Sequence, residues 1–178
     1  MSRLKILDKE FETSYDAATL DAAVSRVALQ MNNDLAGKNP LFLCVLNGAF
    51  MFASDLMKKV NVPSQISFVK LASYSGTHST GVIKELIGLN ESLEGRTVVL
   101  IEDIVDTGAT IKQLVEQVSA KGAADIRVAT LLFKPGSCQP GIKLDYVGLE
   151  IPNDFIVGYG LDYDGFGRNI PEILTLVK

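Results

Sequence analysis

Residues 98–110 constrain the fold more than any other stretch of this chain: Val98-Val99-Leu100-Ile101-Glu102-Asp103-Ile104-Val105-Asp106-Thr107-Gly108-Ala109-Thr110. Four branched aliphatic side chains run into two adjacent carboxylates, and a third carboxylate leads a Thr/Gly turn. A continuous Val/Ile/Leu run suits a strand covered on both faces of a parallel sheet. Acidic residues at the carboxyl end of such a strand stand where open α/β sheets bind ligands. The turn then opens a helix, and its free backbone N–H groups and hydroxyls suit a phosphate. Carboxylates beside a phosphate repel it unless a divalent cation lies between them, so the segment predicts a magnesium–phosphate site. The plainer alternative is a solvated strand end with Asp106 as helix cap. Gly108, which permits close backbone approach, favours the ligand. In a regular strand Glu102 and Asp103 point to opposite faces, so a shared task requires the strand to end before them.

The pattern on either side predicts alternating strands and helices. Apolar positions at helical spacing run over 16–36 and stop near Gly37, and a second helix is read at 49–60, with Phe50, Phe52, Ala53 and Leu56 on its packed side. Leu41–Leu46, Gln65–Leu71, 97–101, Ile126–Phe133, Tyr146–Glu150 and Phe155–Val157 read as strands. A helix over 108–121 ends at Gly122 in the manner of a C′ glycine. This order predicts an α/β fold: a twisted, mainly parallel sheet flanked by helices, with the N- and C-terminal segments covering its carboxyl edge. Between two strands lies Ser73-Tyr74-Ser75-Gly76-Thr77-His78-Ser79-Thr80-Gly81. This polar stretch reads as either a surface loop or a functional lid.

The totals narrow the function classes. The 178 residues fit a single domain, 1–178, with one substantial core. The longest apolar runs, Leu41–Leu46 and Val128–Phe133 (interrupted only by Thr130), are too short to cross a bilayer, so no membrane partner is expected. No apolar leader follows Met1, and two cysteines make no disulfide framework, so the cytoplasm is the expected compartment. A net charge of −4 weighs against nucleic-acid binding. The single histidine, His78, excludes His-cluster metal sites. No Walker loop occurs, and Gly158-Tyr159-Gly160 is not followed by the helix that a dinucleotide fingerprint needs.

Val99–Thr110 resembles the signature of the type I phosphoribosyltransferases, which bind phosphoribosyl pyrophosphate. Leu46-Asn47-Gly48 resembles their pyrophosphate loop, Leu131-Leu132-Phe133-Lys134 their purine-recognition strand end, and Phe155–Tyr163 their base-stacking and metal segment. With Ser73-Tyr74 and Arg168, the resemblance spans roughly residues 40–170 in order and points to the hypoxanthine or hypoxanthine-guanine branch. It implies Mg²⁺ as cofactor, a 6-oxopurine and phosphoribosyl pyrophosphate as substrates, a small hood over the sheet, and a homodimer or homotetramer.

The resemblance also implies roles. Glu102 and Asp103 hold the ribose hydroxyls, directly or through Mg²⁺, and Asp162 completes the metal set. Asp106, Thr107, Gly108, Ala109 and Thr110 cradle the 5′-phosphate, and Asp106 exchanges the purine N7 proton as general base or acid. Leu46, Asn47, Gly48 and Arg168 meet pyrophosphate, and Ser73-Tyr74 belong to a closing lid. Lys134 donates to the purine 6-oxygen, Phe155 stacks on the ring, and Ile156 and Asp162 border the base. Standing alone, Lys134 reads as a snorkelling strand-end lysine and Phe155 as core. Many relatives carry Lys at the position of Asn47, which removes a cation from the loop; the family's loop also has a cis peptide at this point. The alternatives are a xanthine- or guanine-preferring relative, a donor-sensing nucleic-acid-binding regulator of the same fold, or a phosphate-binding module without catalysis.

Overall fold

The computed structural model describes the backbone of residues 3–74 and 83–177 and the side chains of 3–71 and 87–177. The chain runs β1 (Arg3–Ile6), β2 (Lys9–Tyr15), α1 (Ala17–Asp34), β3 (Leu41–Val45), α2 (Phe50–Lys59), β4 (Gln65–Tyr74), β5 (Ile83–Ile87), β6 (Thr97–Val105), α3 (Ala109–Ala120), β7 (Asp125–Phe133), β8 (Tyr146–Glu150), β9 (Ile156–Val157) and β10 (Ile173–Leu176). The larger sheet has the order β5-β4-β3-β6-β7-β8. Its strands are parallel except for β5, which pairs antiparallel with β4 at the edge. The expected mainly parallel sheet flanked by helices is therefore present.

All five residues of β3 are buried, as a strand covered on both faces requires. Phe42 and Cys44 enter the core under α1 and α2, with Val99 and Ile101 of β6. Leu41, Leu43, Val98 and Leu100 enter the opposite core under α3, with Ile111, Leu114 and Val118. Asp16 caps α1 by accepting from the Thr19 N–H at 2.8 Å. Gly122 has a φ of +86°, a left-handed conformation that favours glycine at the helix end.

The terminal segments form a second, antiparallel sheet of order β1-β2-β10-β9, with Phe11, Val157 and Leu174 in its core. The sequence pattern anticipated a covering hood but not its strands β1, β2 and β10. Strands β1 and β10 are only four residues long, and β2 has only Phe11 and Tyr15 as large apolar residues, which leaves a weak period-2 signal. Strand β5 was also not anticipated. Strand β6 runs four residues beyond the expected end, to Val105. The polar stretch divides: Ser73 and Tyr74 end β4, while 75–82, with His78, lie outside the described residues.

Candidate active site

The carboxyl ends of β3, β4 and β6 meet at two cavities that share Glu102, Asp103 and Thr110. One, of about 270 Å³, is lined by 102–108, Thr110 and Ile111. The other, of about 300 Å³, is lined by Leu46, Gly48, Lys70, Asp162 and Arg168 among others.

Glu102 and Asp103 border both cavities although β6 has not ended, which corrects the expectation that the strand must stop before them. The reason lies in the neighbouring strand. Strand β3 pairs with β6 only as far as Cys44↔Ile101, so beyond Ile101 that edge of β6 opens onto the loop that follows β3. The loop contains a cis peptide, Leu46–Asn47. It also packs against Asp103 so closely that a Cβ at Gly48 would coincide with the Asp103 carboxylate.

The pair is electrostatically unfavourable as it stands. Burial and the neighbouring Asp103 carboxylate push Glu102 well above the usual carboxylate range. Burial also raises Asp103, against the pull of the Ile104 N–H, which donates to Asp103 Oδ1 at 2.7 Å, and of the Arg168 guanidinium. Glu102 Oε1 is buried and has no hydrogen-bond partner. On β3, burial and these two carboxylates push the Cys44 thiol up to about 12. A buried, unpaired carboxylate oxygen beside a second carboxylate is the donor set of a site completed by a cation or a hydroxyl-bearing ligand.

This arrangement gives a stability prediction. A carboxyl whose pKa is raised on folding binds its proton more tightly when folded. Its contribution is therefore greatest below the unfolded value and is lost as pH rises through the folded one. The groups facing Glu102 are Asp103 on its own strand and Cys44 on β3, with Arg168 acting through Asp103. Glu102→Gln removes the charge with little change of shape. The ligand-free variant should melt several degrees above the parent at pH 8, and the gap should close below about pH 4. Equal midpoints at pH 8 in thermal melts would show that the pair carries no strain.

The turn after β6 is shaped by Gly108, which has φ +84° and precedes α3. A Cβ there would meet Ile142 and Cys138. No side chain of Gly108 caps the helix, and only a long contact of 3.4 Å runs from the Ala109 N–H to Thr107 Oγ1. Asp106 is not the cap, so the plainer reading of this turn fails. The helix presents its first N–H groups to the 270 Å³ cavity.

Asp106 instead faces Lys134 of the β7 end: Nζ lies 3.2 Å from Oδ2. Lys134 is 7% exposed, so it is not a snorkelling surface lysine. Asp162 accepts from the Gly165 N–H at 2.7 Å and pairs with Arg168 at 2.8 Å, and Arg168 also donates to the Gly160 carbonyl at 2.7 Å. Gly160, at φ +100°, lies on the Gly48 carbonyl, so a side chain at Gly160 would push hood and loop apart. Phe155 is 46% exposed, with its ring edge-on to Tyr163 at 5.8 Å. Ile156 is buried and borders a different cavity, of about 330 Å³, beside β2. The side chains of Ser73 and Tyr74 lie outside those described. Among the described residues, no three acidic, cysteine or histidine groups form a metal cage by themselves. One contributor was not foreseen, Lys70, which only the strand register brings here and which has no local motif.

The sequence model of a family described as phosphoribosyl transferase domain matches residues 14–164. The chain belongs to this family. Among curated phosphoribosyltransferase relatives, a hypoxanthine-guanine phosphoribosyltransferase of Streptococcus thermophilus is 43% identical over 148 residues, 83% of this chain and 82% of that protein. One of Mycobacterium tuberculosis is 38% identical over 167 residues, 90% of this chain and 83% of that protein. A crystal structure of a hypoxanthine phosphoribosyltransferase from Staphylococcus aureus superposes with a TM-score of 0.83 at 36% identity, covering 93% of this chain and 91% of that one. The phosphoribosyltransferase fold thus accounts for both the parallel sheet and the hood. No helix among the described residues is long and apolar enough to cross a membrane.

Proposed function

We propose that this phosphoribosyltransferase salvages purines: it transfers the phosphoribosyl group of phosphoribosyl pyrophosphate to hypoxanthine, and to guanine, giving the nucleoside monophosphate and pyrophosphate. The observation that carries this reading is the 3.2 Å pair of Lys134 and Asp106 beside the phosphate-type turn. An ammonium and a carboxylate at hydrogen-bond spacing match the 6-oxygen and N7–H of one purine edge, acceptor to donor and donor to acceptor. A 6-amino group would meet a like donor in Lys134, so adenine is disfavoured.

In this reading N9 of the base forms the new bond to the anomeric carbon as the bond to pyrophosphate breaks, through an oxocarbenium-like state. Asp106 takes the N7 proton, while the turn 106–110 and the first N–H groups of α3 hold the 5′-phosphate. Glu102 and Asp103 receive the ribose hydroxyls, Phe155 stacks on the base, and Arg168 and the 46–48 loop receive pyrophosphate. Mg²⁺ fits the donor set of Glu102 and Asp103, whose orphaned oxygen lacks a partner, with Asp162 across the cavity; when bound it would neutralise pyrophosphate charge. The chain would work as one phosphoribosyltransferase domain, in the cytoplasm, as a homodimer or homotetramer, with no nucleic-acid partner.

The test is a substrate panel of hypoxanthine, guanine, xanthine, adenine and uracil, each with donor and Mg²⁺. Turnover is expected with hypoxanthine and guanine and not with adenine or uracil. Activity confined to adenine or uracil would overturn the reading.

A further inference from the structure

The cavity of about 300 Å³ is lined by three carboxylates, Glu102, Asp103 and Asp162, and by two cationic side chains, Lys70 and Arg168. A pyrophosphate group entering it meets more negative than positive protein charge. Arg168 is already committed, one nitrogen to Asp162 at 2.8 Å and another to the Gly160 carbonyl at 2.7 Å. The loop adds no charge, because Asn47 is neutral. Lys70 makes none of the ion pairs found among the described residues and is exposed where the cavity opens.

The strand register accounts for its position. Cys44 of β3 pairs with Phe68 of β4 on one side and with Ile101 of β6 on the other. Two residues further on, Lys70 and Asp103 stand at the same height and on the same face, flanking the Leu46-Asn47-Gly48 loop. Two interstrand spacings separate their backbones, about 10 Å, a gap that a lysine stem and a diphosphate together fill. Strand β4 is paired on both sides at this point, through Val69↔Val45 and Lys70↔Ile87, so the stem rises from a fixed backbone.

We infer that Lys70 is a second pyrophosphate-binding cation beside Arg168, supplying from β4 the charge that Asn47 does not supply from the loop. The inference rests on the proposed phosphoribosyl transfer and deepens it. Lys70 binds the diphosphate of the donor in the forward direction and free pyrophosphate in the reverse. Lys70 does not line the cavity of 102–108, Thr110 and Ile111, where the 5′-phosphate is held in the proposed reaction.

The experiment compares the parent with Lys70→Gln and Lys70→Arg. Steady-state constants are measured for phosphoribosyl pyrophosphate and hypoxanthine, and for pyrophosphate with inosine monophosphate in reverse, with thermal melts as a folding control. Lys70→Gln should raise KM for donor and for pyrophosphate roughly ten- to hundred-fold, the value of a charge-assisted hydrogen bond, and leave the hypoxanthine KM within about twofold. Lys70→Arg should recover most of the loss. Unchanged donor and pyrophosphate constants in Lys70→Gln, or an equal loss in Lys70→Arg, would overturn the inference. A parent enzyme that turns over no 6-oxopurine would instead overturn the proposed function on which the inference rests.

Discussion

Asp106→Asn should lower kcat with hypoxanthine by about 10²- to 10⁴-fold while KM for phosphoribosyl pyrophosphate stays within a few-fold. The substitution is nearly isosteric. Its amide oxygen still accepts from Lys134, and the turn through Gly108 keeps its backbone, so the phosphate cradle is preserved. What disappears is the capacity to accept a proton. An effect confined to kcat means that the lost interaction is made in the transition state and not in the ground state. The stability change should be small, on the order of 1 kcal/mol, because the half-exposed carboxylate is replaced by a group that still satisfies the ammonium. The measurement is a full steady-state analysis in both substrates with a thermal melt. If kcat and donor affinity fall together, Asp106 belongs to the phosphate cradle and the proton acceptor lies elsewhere.

Much of this site is legible in the order of residues, for a physical reason. Strand β6 is buried on both faces, so its sequence must be continuously apolar, and the first residues that break the run are those that reach the open edge. A turn that brings backbone N–H groups to a ligand needs a glycine at positive φ, and Gly108 stands in the sequence as such. The hood is different. Strands β1 and β2 form a short hairpin with few apolar residues, and β10 reaches β2 from the far end of the chain, so no single window carries the hood. Lys70 illustrates the same limit: in sequence it is one charged residue in an alternating strand. Only the shared register of β3, β4 and β6 sets it across a loop from Asp103. That Glu102 and Asp103 border the same cavities is not visible in the sequence. Their side chains still alternate, but β3 stops pairing at Ile101 and opens the edge of β6 beside both.

Lys134→Met should raise the hypoxanthine KM roughly ten- to hundred-fold and collapse the preference for hypoxanthine over adenine, leaving donor KM near the parent value. Methionine keeps an unbranched apolar stem in a position that is only 7% exposed, so packing against the β7 end is retained. The charge it removes is a buried one, and its partner Asp106 is exposed enough to be hydrated. Replacing one member of such a pair by an apolar side chain therefore costs little, and removal of a desolvated ammonium favours folding. The thermal midpoint should hold or rise while specificity falls, a combination that a merely structural lysine cannot produce. The adenine comparison isolates the chemistry. An ammonium rewards a 6-oxygen and penalises a 6-amino group, so its loss should hurt hypoxanthine and spare or help adenine. If Lys134→Met keeps the parent's ratio of kcat/KM for hypoxanthine over adenine, another donor reads the 6-position. The 3.2 Å contact with Asp106 would then serve only to orient that carboxylate.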